Sequence, residues 1–186
     1  MTHPTPSTPE SRETRFRAVF AATYPDLLRF AQRRVHPSHA EDVVADAFLV
    51  AWRRLDDVPV DVADARPWLF GVVRATLLNA RRGDRRRDAL ATRIGDGVPL
   101  GASDDAEVAA EVAARLDLQR GWARLDPAEQ EVIALSVWDG LTSAQAASVL
   151  GCTATAYRLR LSRARRALRR HLDHPARTTL PEGARP

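Results

Sequence analysis

The chain has 186 residues, a hydrophobic content of 45% and a formal net charge of +4, which suits one or two small domains and excludes a wholly disordered chain. All 28 basic residues are arginine, whose planar fork keeps its charge and matches phosphates and guanine edges. A single cysteine, Cys152, and five scattered histidines (3, 36, 39, 171 and 174) exclude a disulfide framework and a cysteine-rich zinc site, and no metal or cofactor is expected.

In chain order, residues 1–11 begin with Pro4, Pro6 and Pro9 and no apolar stretch, so they read as a disordered tail without a secretory signal. Helical periodicity then predicts helices near 12–23, 25–35, 39–55 and 67–82, with Pro25, Pro37 and Pro67 at starts or breaks. In the third of these, Val43, Phe48, Ala51, Trp52 and Leu55 form an apolar stripe, and Glu41, Asp42, Asp46 and Arg53 face elsewhere. Residues 56–66 read as a loop. Residues 81–93 carry Arg81, Arg82 and four further arginines, and together 12–93 make a first helical domain.

Gly95, Gly97, Pro99, Gly101 and Ser103, with Asp96, Asp104 and Asp105, mark 94–106 as a flexible acidic linker. A second domain over 107–172 opens with a helix near 107–124. Asp126-Pro127-Ala128-Glu129 carries a capping acceptor, a first-position proline and a third-position acid, so a helix starts there and ends at Asp139-Gly140. Thr142 and Gln145 form a second capping box, starting a short helix to Leu150. Gly151 ends it, and Thr153 caps a last helix running to about Leu172. Two helices joined across Gly151-Cys152-Thr153 make a helix-turn-helix. The uncharged run 140–157 contains Gln145 and several hydroxyl residues, too polar for a membrane span, so a cytoplasmic protein without membrane insertion is expected. Residues 173–186, with Pro175, Pro181 and Pro186, read as a second disordered tail. The expected architecture is all-α: two small helical domains on a flexible acidic linker, the second with a helix-turn-helix.

The last helix is the strongest functional signal. With Tyr157 at the centre of a helical wheel, Leu161, Ala164 and Leu168 fall within about 40° of it and form a core stripe. Thr155, Leu159, Ser162, Arg163, Arg166 and Arg170 lie opposite, and residues 158–170 hold seven arginines and no acid. A solvated helix usually alternates its charges. A recognition helix brings its N-terminal part closest to the bases. Arg163 then suits a guanine, Ser162 a polar edge and Leu159 a thymine methyl, while Arg158, Arg160, Arg165 and Arg169 suit phosphates.

Taken together, these stretches resemble a bacterial RNA polymerase sigma factor of the extracytoplasmic-function (ECF) class. Ala40 to Trp52 resembles the acidic-aromatic helix that such proteins present to the polymerase clamp. Pro67-Trp68-Leu69-Phe70 followed by Arg81-Arg82 resembles the helix that engages the minus-ten element. Gly140 to Gly151, with Arg158 and Arg160 to Arg165, resembles the minus-thirty-five reader. The resemblance implies binding to core RNA polymerase through Glu41, Asp42, Asp46, Phe48 and Trp52. It implies minus-ten DNA contacts from Trp68, Arg74, Arg81 and Arg82, with loop 56–66 helping to hold a flipped base. Thr155, Arg158, Leu159, Arg160, Ser162, Arg163 and Arg166 become the minus-thirty-five set, and an anti-sigma factor is implied as a further partner. Ala45, Ala47, Gly71, Ala75 and Leu159 depart from residues common in the family, so its base preferences do not transfer directly.

The competing reading is a free-standing helix-turn-helix repressor, but its usual dimerisation segment is absent from the sequence, and the acidic-aromatic helix has no job in it. An enzyme acting on nucleic acid would need a second acidic site or a histidine near Glu41, Asp42 and Asp46, and none accompanies them. The expected function is therefore a non-catalytic promoter-specificity subunit.

Overall fold

A computed structural model describes residues 9–83 and 106–173. The expected linker from 94 to 106 and both expected tails lie outside those residues except at their edges, where Pro9 to Ser11 open the first helix, Ala106 opens the fourth and Asp173 closes the last. The described residues form seven helices and no strand: α1 (Pro9–Gln32), α2 (Pro37–Arg53), α3 (Val62–Gly83), α4 (Ala106–Ala123), α5 (Pro127–Val137), α6 (Ser143–Leu150) and α7 (Ala154–Asp173). Helices α1 to α3 pack on one another as a first unit, α4 to α6 pack around α7 as a second, and α3 meets α6 between them.

The first unit is held by three apolar stripes at helical spacing. Val19, Leu27, Phe30 and Ala31 come from α1, Val44, Ala47, Phe48 and Ala51 from α2, and Leu69, Phe70, Val73 and Leu77 from α3, all buried. The rings of Phe30 and Phe70 stack at 4.7 Å in its centre. Two predicted boundaries are corrected here. Helix α1 runs straight through Pro25, where two helices were expected. Proline removes the bond to the carbonyl four residues earlier and crowds that carbonyl with its ring. That carbonyl belongs to Ala21, an exposed residue that water can serve, while the buried side continues from Val19 through Thr23 to Leu27.

The second correction concerns α3, which starts at Val62 and not at Pro67. Asp61 caps it: its carboxylate accepts from the Ala63 N–H at 2.9 Å and its carbonyl from Ala65 at 2.8 Å. The loop expected over 56–66 shrinks accordingly. A 3-10 turn takes Leu55–Asp57, and only residues 58–61 are left to connect it to α3. Arg12 holds that turn by an ion pair with Asp56 at 2.9 Å.

In the second unit the sequence punctuation appears as read. Asp126 and Glu129 complete a reciprocal capping box on α5, and Thr142 and Gln145 complete another on α6. Gly151 takes a left-handed φ of +64°, and the Thr153 hydroxyl accepts from the Ala156 N–H at 3.1 Å. The phenol of Tyr157, fully buried, donates to the Val132 carbonyl at 2.8 Å and so ties α7 to α5. Burial pushes that phenol up to about 12, outweighing the opposing influence of nearby Arg165. Gly121 lets α4 approach α7: a Cβ there would lie 2.9 Å from a Leu172 methyl.

Candidate nucleic-acid interface

The helix-turn-helix is built from α6, the Gly151 turn and α7. Tyr157, Leu161, Ala164 and Ala167 bury one face of α7. Thr155, Arg158, Leu159, Arg160, Ser162, Arg163 and Arg166 are all exposed on the rest. Leu159 is 52% exposed with arginines on both sides, an apolar contact offered to solvent within a cationic surface. The Arg158 guanidinium donates to the Thr155 hydroxyl one turn earlier at 3.1 Å. A row of positive charge with one apolar point can follow a phosphate backbone and also touch a base edge.

The α2 face is of the opposite character. Glu41, Asp42, Ala45, Asp46, Leu49 and Trp52 are exposed along one side of the helix. Trp52 lies at the edge of an aromatic cluster, 5.2 Å from Phe16 and beneath the guanidinium of Arg12. Phe48 is only 4% exposed and sits within that cluster, 4.6 Å from Phe20. It supports the surface from below and does not present its own ring. Leu49, 53% exposed, was missed in the sequence; its spacing from Asp46 and Trp52 was the available signal.

On α3, Trp68 is half-buried with Arg54 over its ring at 5.9 Å. It lines a groove with Gly71, Ala75, Thr76 and Asn79, and Ser148 of α6 forms part of its rim. Arg74 does not stand free on this face. Its guanidinium donates two bonds to the Glu131 carboxylate, at 2.9 and 3.1 Å. Arg81 and Arg82 fall in the last turn of α3, and their side chains lie outside the described residues.

A polar cluster unannounced by the sequence joins the two units. Asp139, in the turn after α5, has a fully buried side chain that accepts from Arg33 and from Arg34, the latter at 3.2 Å. Arg34 also donates to the Phe30 carbonyl at 3.0 Å, and its guanidinium lies 3.5 Å from the centre of the Phe30 ring. Burial lowers the proton affinity of Arg34, against the pull of Asp139 and Glu131. Arg66 bridges further: it donates to the Asp139 backbone carbonyl at 2.7 Å and pairs with Asp26. Burial alone would raise the Asp26 carboxyl, but bonds and charge from Arg66 and Arg29 outweigh it and hold it below its ordinary value. Finally, Gln145 donates to the Ala63 carbonyl at 3.1 Å. That is the carbonyl left unbonded within α3 because Pro67 has no N–H.

Among the described residues no cluster of His, Cys, Asp and Glu is arranged to hold a metal ion, and no helix is long and apolar enough to cross a membrane. What the arrangement offers is binding surface: a helix-turn-helix with a basic reading face, and a separate three-helix unit with an acidic-aromatic face.

Those features define a helical protein with a basic helix-turn-helix and a separate acidic-aromatic face. The family follows from comparison with known proteins. Residues 19–87 match Sigma-70 region 2 and residues 115–168 match Sigma-70, region 4. The chain is 37% identical over 140 residues to the RNA polymerase sigma factor CnrH of Cupriavidus metallidurans, covering 72% of this chain and 73% of that one. It is 32% identical over 157 residues to the ECF RNA polymerase sigma factor SigL of Mycobacterium tuberculosis, covering 82% and 86%. Among solved structures, CnrH in complex with the cytosolic domain of CnrY superposes with a TM-score of 0.58 at 28% identity, over 87% of this chain and 89% of that one. The sigma factor RpoE of Bartonella quintana, in complex with the anti-sigma factor NepR, shares the fold with a TM-score of 0.61 at 23% identity, over 85% and 96%. The chain belongs to the Sigma-70 family and to its extracytoplasmic-function class.

Proposed function

We propose that this protein is the promoter-specificity subunit that binds core RNA polymerase, recognises minus-ten and minus-thirty-five elements and helps open the DNA. One observation carries the reading: an exposed basic face on α7, without an acid over residues 158–170, occurs in the same chain as a region 2 unit with an acidic-aromatic surface. A free-standing repressor needs only the first.

In this reading Glu41, Asp42, Asp46 and Trp52, with Leu49 beside them, meet a basic polymerase surface, and Phe48 keeps their helix in place. Trp68, Arg74, Arg81 and Arg82 serve the minus-ten element, the arginines by neutralising phosphate and Trp68 by stacking on an unpaired base. Thr155, Leu159, Ser162, Arg163 and Arg166 read the minus-thirty-five element, and Arg158 and Arg160 position it. The protein performs no catalysis of its own, holds no cofactor and works in the cytoplasm. A regulatory anti-sigma partner is proposed by likeness to the complexed relatives.

Run-off transcription with purified core polymerase on a pool of promoter fragments tests this. Transcripts that depend on the protein and share an upstream motif are expected. Duplex binding without any core-dependent transcript would favour the repressor. On the promoter so found, Arg163→Ala should cost roughly 1–3 kcal/mol and relax preference at one base, whereas Arg158→Ala should weaken all sequences alike and reduce the salt slope by about one.

A further inference from the structure

Helix α7 carries four leucines, and three of them serve the fold: Leu161 is buried, Leu168 packs against the core and Leu172 lies against Gly121. Leu159 does not. It is 52% exposed in the second turn of the helix, about 160° around from buried Tyr157, and so aims away from the core of the second unit. A lone exposed leucine is ordinary on a protein surface. This one is distinguished by what stands around it.

Arginines flank it in two rows. Arg158, Arg165 and Arg169 border a hollow that opens toward Ser143 of α6. Arg160 and Arg163 border another, against Asp126 and Glu129 of α5. Laid in a major groove, such a helix sends its two rows to the two phosphate walls and its middle to the floor. Arg166 shares the middle line two turns further on, but the N-terminal part of a recognition helix lies nearest the bases. Leu159 is therefore the group on that line closest to the base edges.

Most groups on the groove floor are donors or acceptors, and an apolar side chain strips them of water without replacing the lost bonds. The exception is a C5-methyl group, carried by thymine and by C5-methylated cytosine. Beside the methyl the two bases differ: thymine presents an O4 acceptor, the cytosine an N4 donor. Leucine does not sense that difference. Nor does Ser162, exposed one turn further along α7, because its hydroxyl both donates and accepts.

We propose that Leu159 makes α7 a reader of pyrimidine C5-methyl groups, so that methylation of a cytosine within the duplex target raises affinity as a thymine there does. Cytosine methylation of a promoter thereby becomes an input to its recognition. This deepens the reading of α7 as the minus-thirty-five face and rests on α7 lying in a major groove.

The test selects bound duplexes from a random-sequence pool with the full chain at low salt. In the enriched duplex each thymine is replaced in turn by deoxyuridine, which removes only the methyl. The position that responds is then rebuilt as cytosine or 5-methylcytosine opposite guanine. Fluorescence anisotropy should show deoxyuridine at that position weakening binding about fourfold, and 5-methylcytosine binding about fourfold better than cytosine, as expected for one methyl group taken out of water. Leu159→Ala, an exposed change that leaves the buried face of α7 intact, should abolish both effects. The proposal is overturned by a pool from which nothing is enriched, or by an enriched duplex without a methyl-dependent thymine. Equal binding of cytosine and 5-methylcytosine overturns it too, as do methyl effects that persist in Leu159→Ala. No polymerase enters these measurements. A failed run-off assay would remove the sigma reading and leave methyl-dependent duplex binding standing, whereas a methyl-blind chain that still directs transcription would remove this proposal alone.

Discussion

The two units reach a stable helical fold by different means. The first, α1 to α3, depends on long-range packing: two prolines lie inside its helices, and continuity comes from stripes such as Val19–Leu27–Phe30 meeting Phe70 across the bundle. The second, α4 to α7, is specified locally. Each turn carries a cap, a glycine or both, and one tyrosine hydrogen bond ties the pieces together. The difference teaches where each can vary. A unit set by packing can present an apolar, aromatic surface for a protein partner, whereas a unit set by local signals can devote a whole helix face to arginine.

The comparison is broken most severely in the first unit. Phe70→Ala should cost about 3–5 kcal/mol, because it removes a fully buried ring and leaves Phe30 facing a cavity. Denaturant titration followed by circular dichroism should show helix loss at lower denaturant than in the parent.

The second unit should respond to alkali. The Tyr157 phenol titrates higher in the folded chain than in the unfolded one, so its contribution is complete below about pH 10 and is lost as pH rises toward about 12. Roughly 2–3 kcal/mol should disappear across that window. Tyr157→Phe should be weaker at neutral pH by about 1–2 kcal/mol and lack that additional alkaline loss. A parent with no excess alkaline sensitivity over this variant would contradict the tie between α7 and α5.

Gly151→Ala sharpens the contrast at smaller scale. Space is open around this residue, so only its left-handed backbone resists a side chain, at a cost of about 1–2 kcal/mol in thermal unfolding. A cost equal to that of Phe70→Ala would mean the second unit is not locally specified.

Asp26→Asn should have the smallest effect, under about 1 kcal/mol at neutral pH, since the Arg29 and Arg66 pairs are partly exposed. The folded carboxyl lies below its ordinary value of 3.8, so the stabilisation is present above that pH and fades as pH falls through the folded value. Parent and variant melting curves should converge in acid.

How much was legible follows the same division. The capping boxes at Asp126 and Thr142, the turn at Gly151 and the buried face of α7 were readable because each signal lies within four residues of its partner. The helix through Pro25 and the early start of α3 were not. A proline reads locally as a boundary, and only the packed core and the Asp61 cap override it. For the candidate site, the exposed face of α7, the exposed acids of α2 and the burial of Phe48 followed from periodicity, while the exposure of Trp52 beside those acids and the engagement of Arg74 by Glu131 did not.

The sequence by itself determined the helical class, the helix-turn-helix and the exposed basic face of α7, because helical period and capping are short-range and act before the chain folds back on itself. The tertiary structure alone decided that Arg33, Arg34 and Asp139, over a hundred positions apart, share one buried site, and that Pro67 frees a carbonyl for Gln145. Such pairings depend on how two helical units dock. Long-range electrostatics and desolvation set that docking, and neither leaves a periodic trace in the chain.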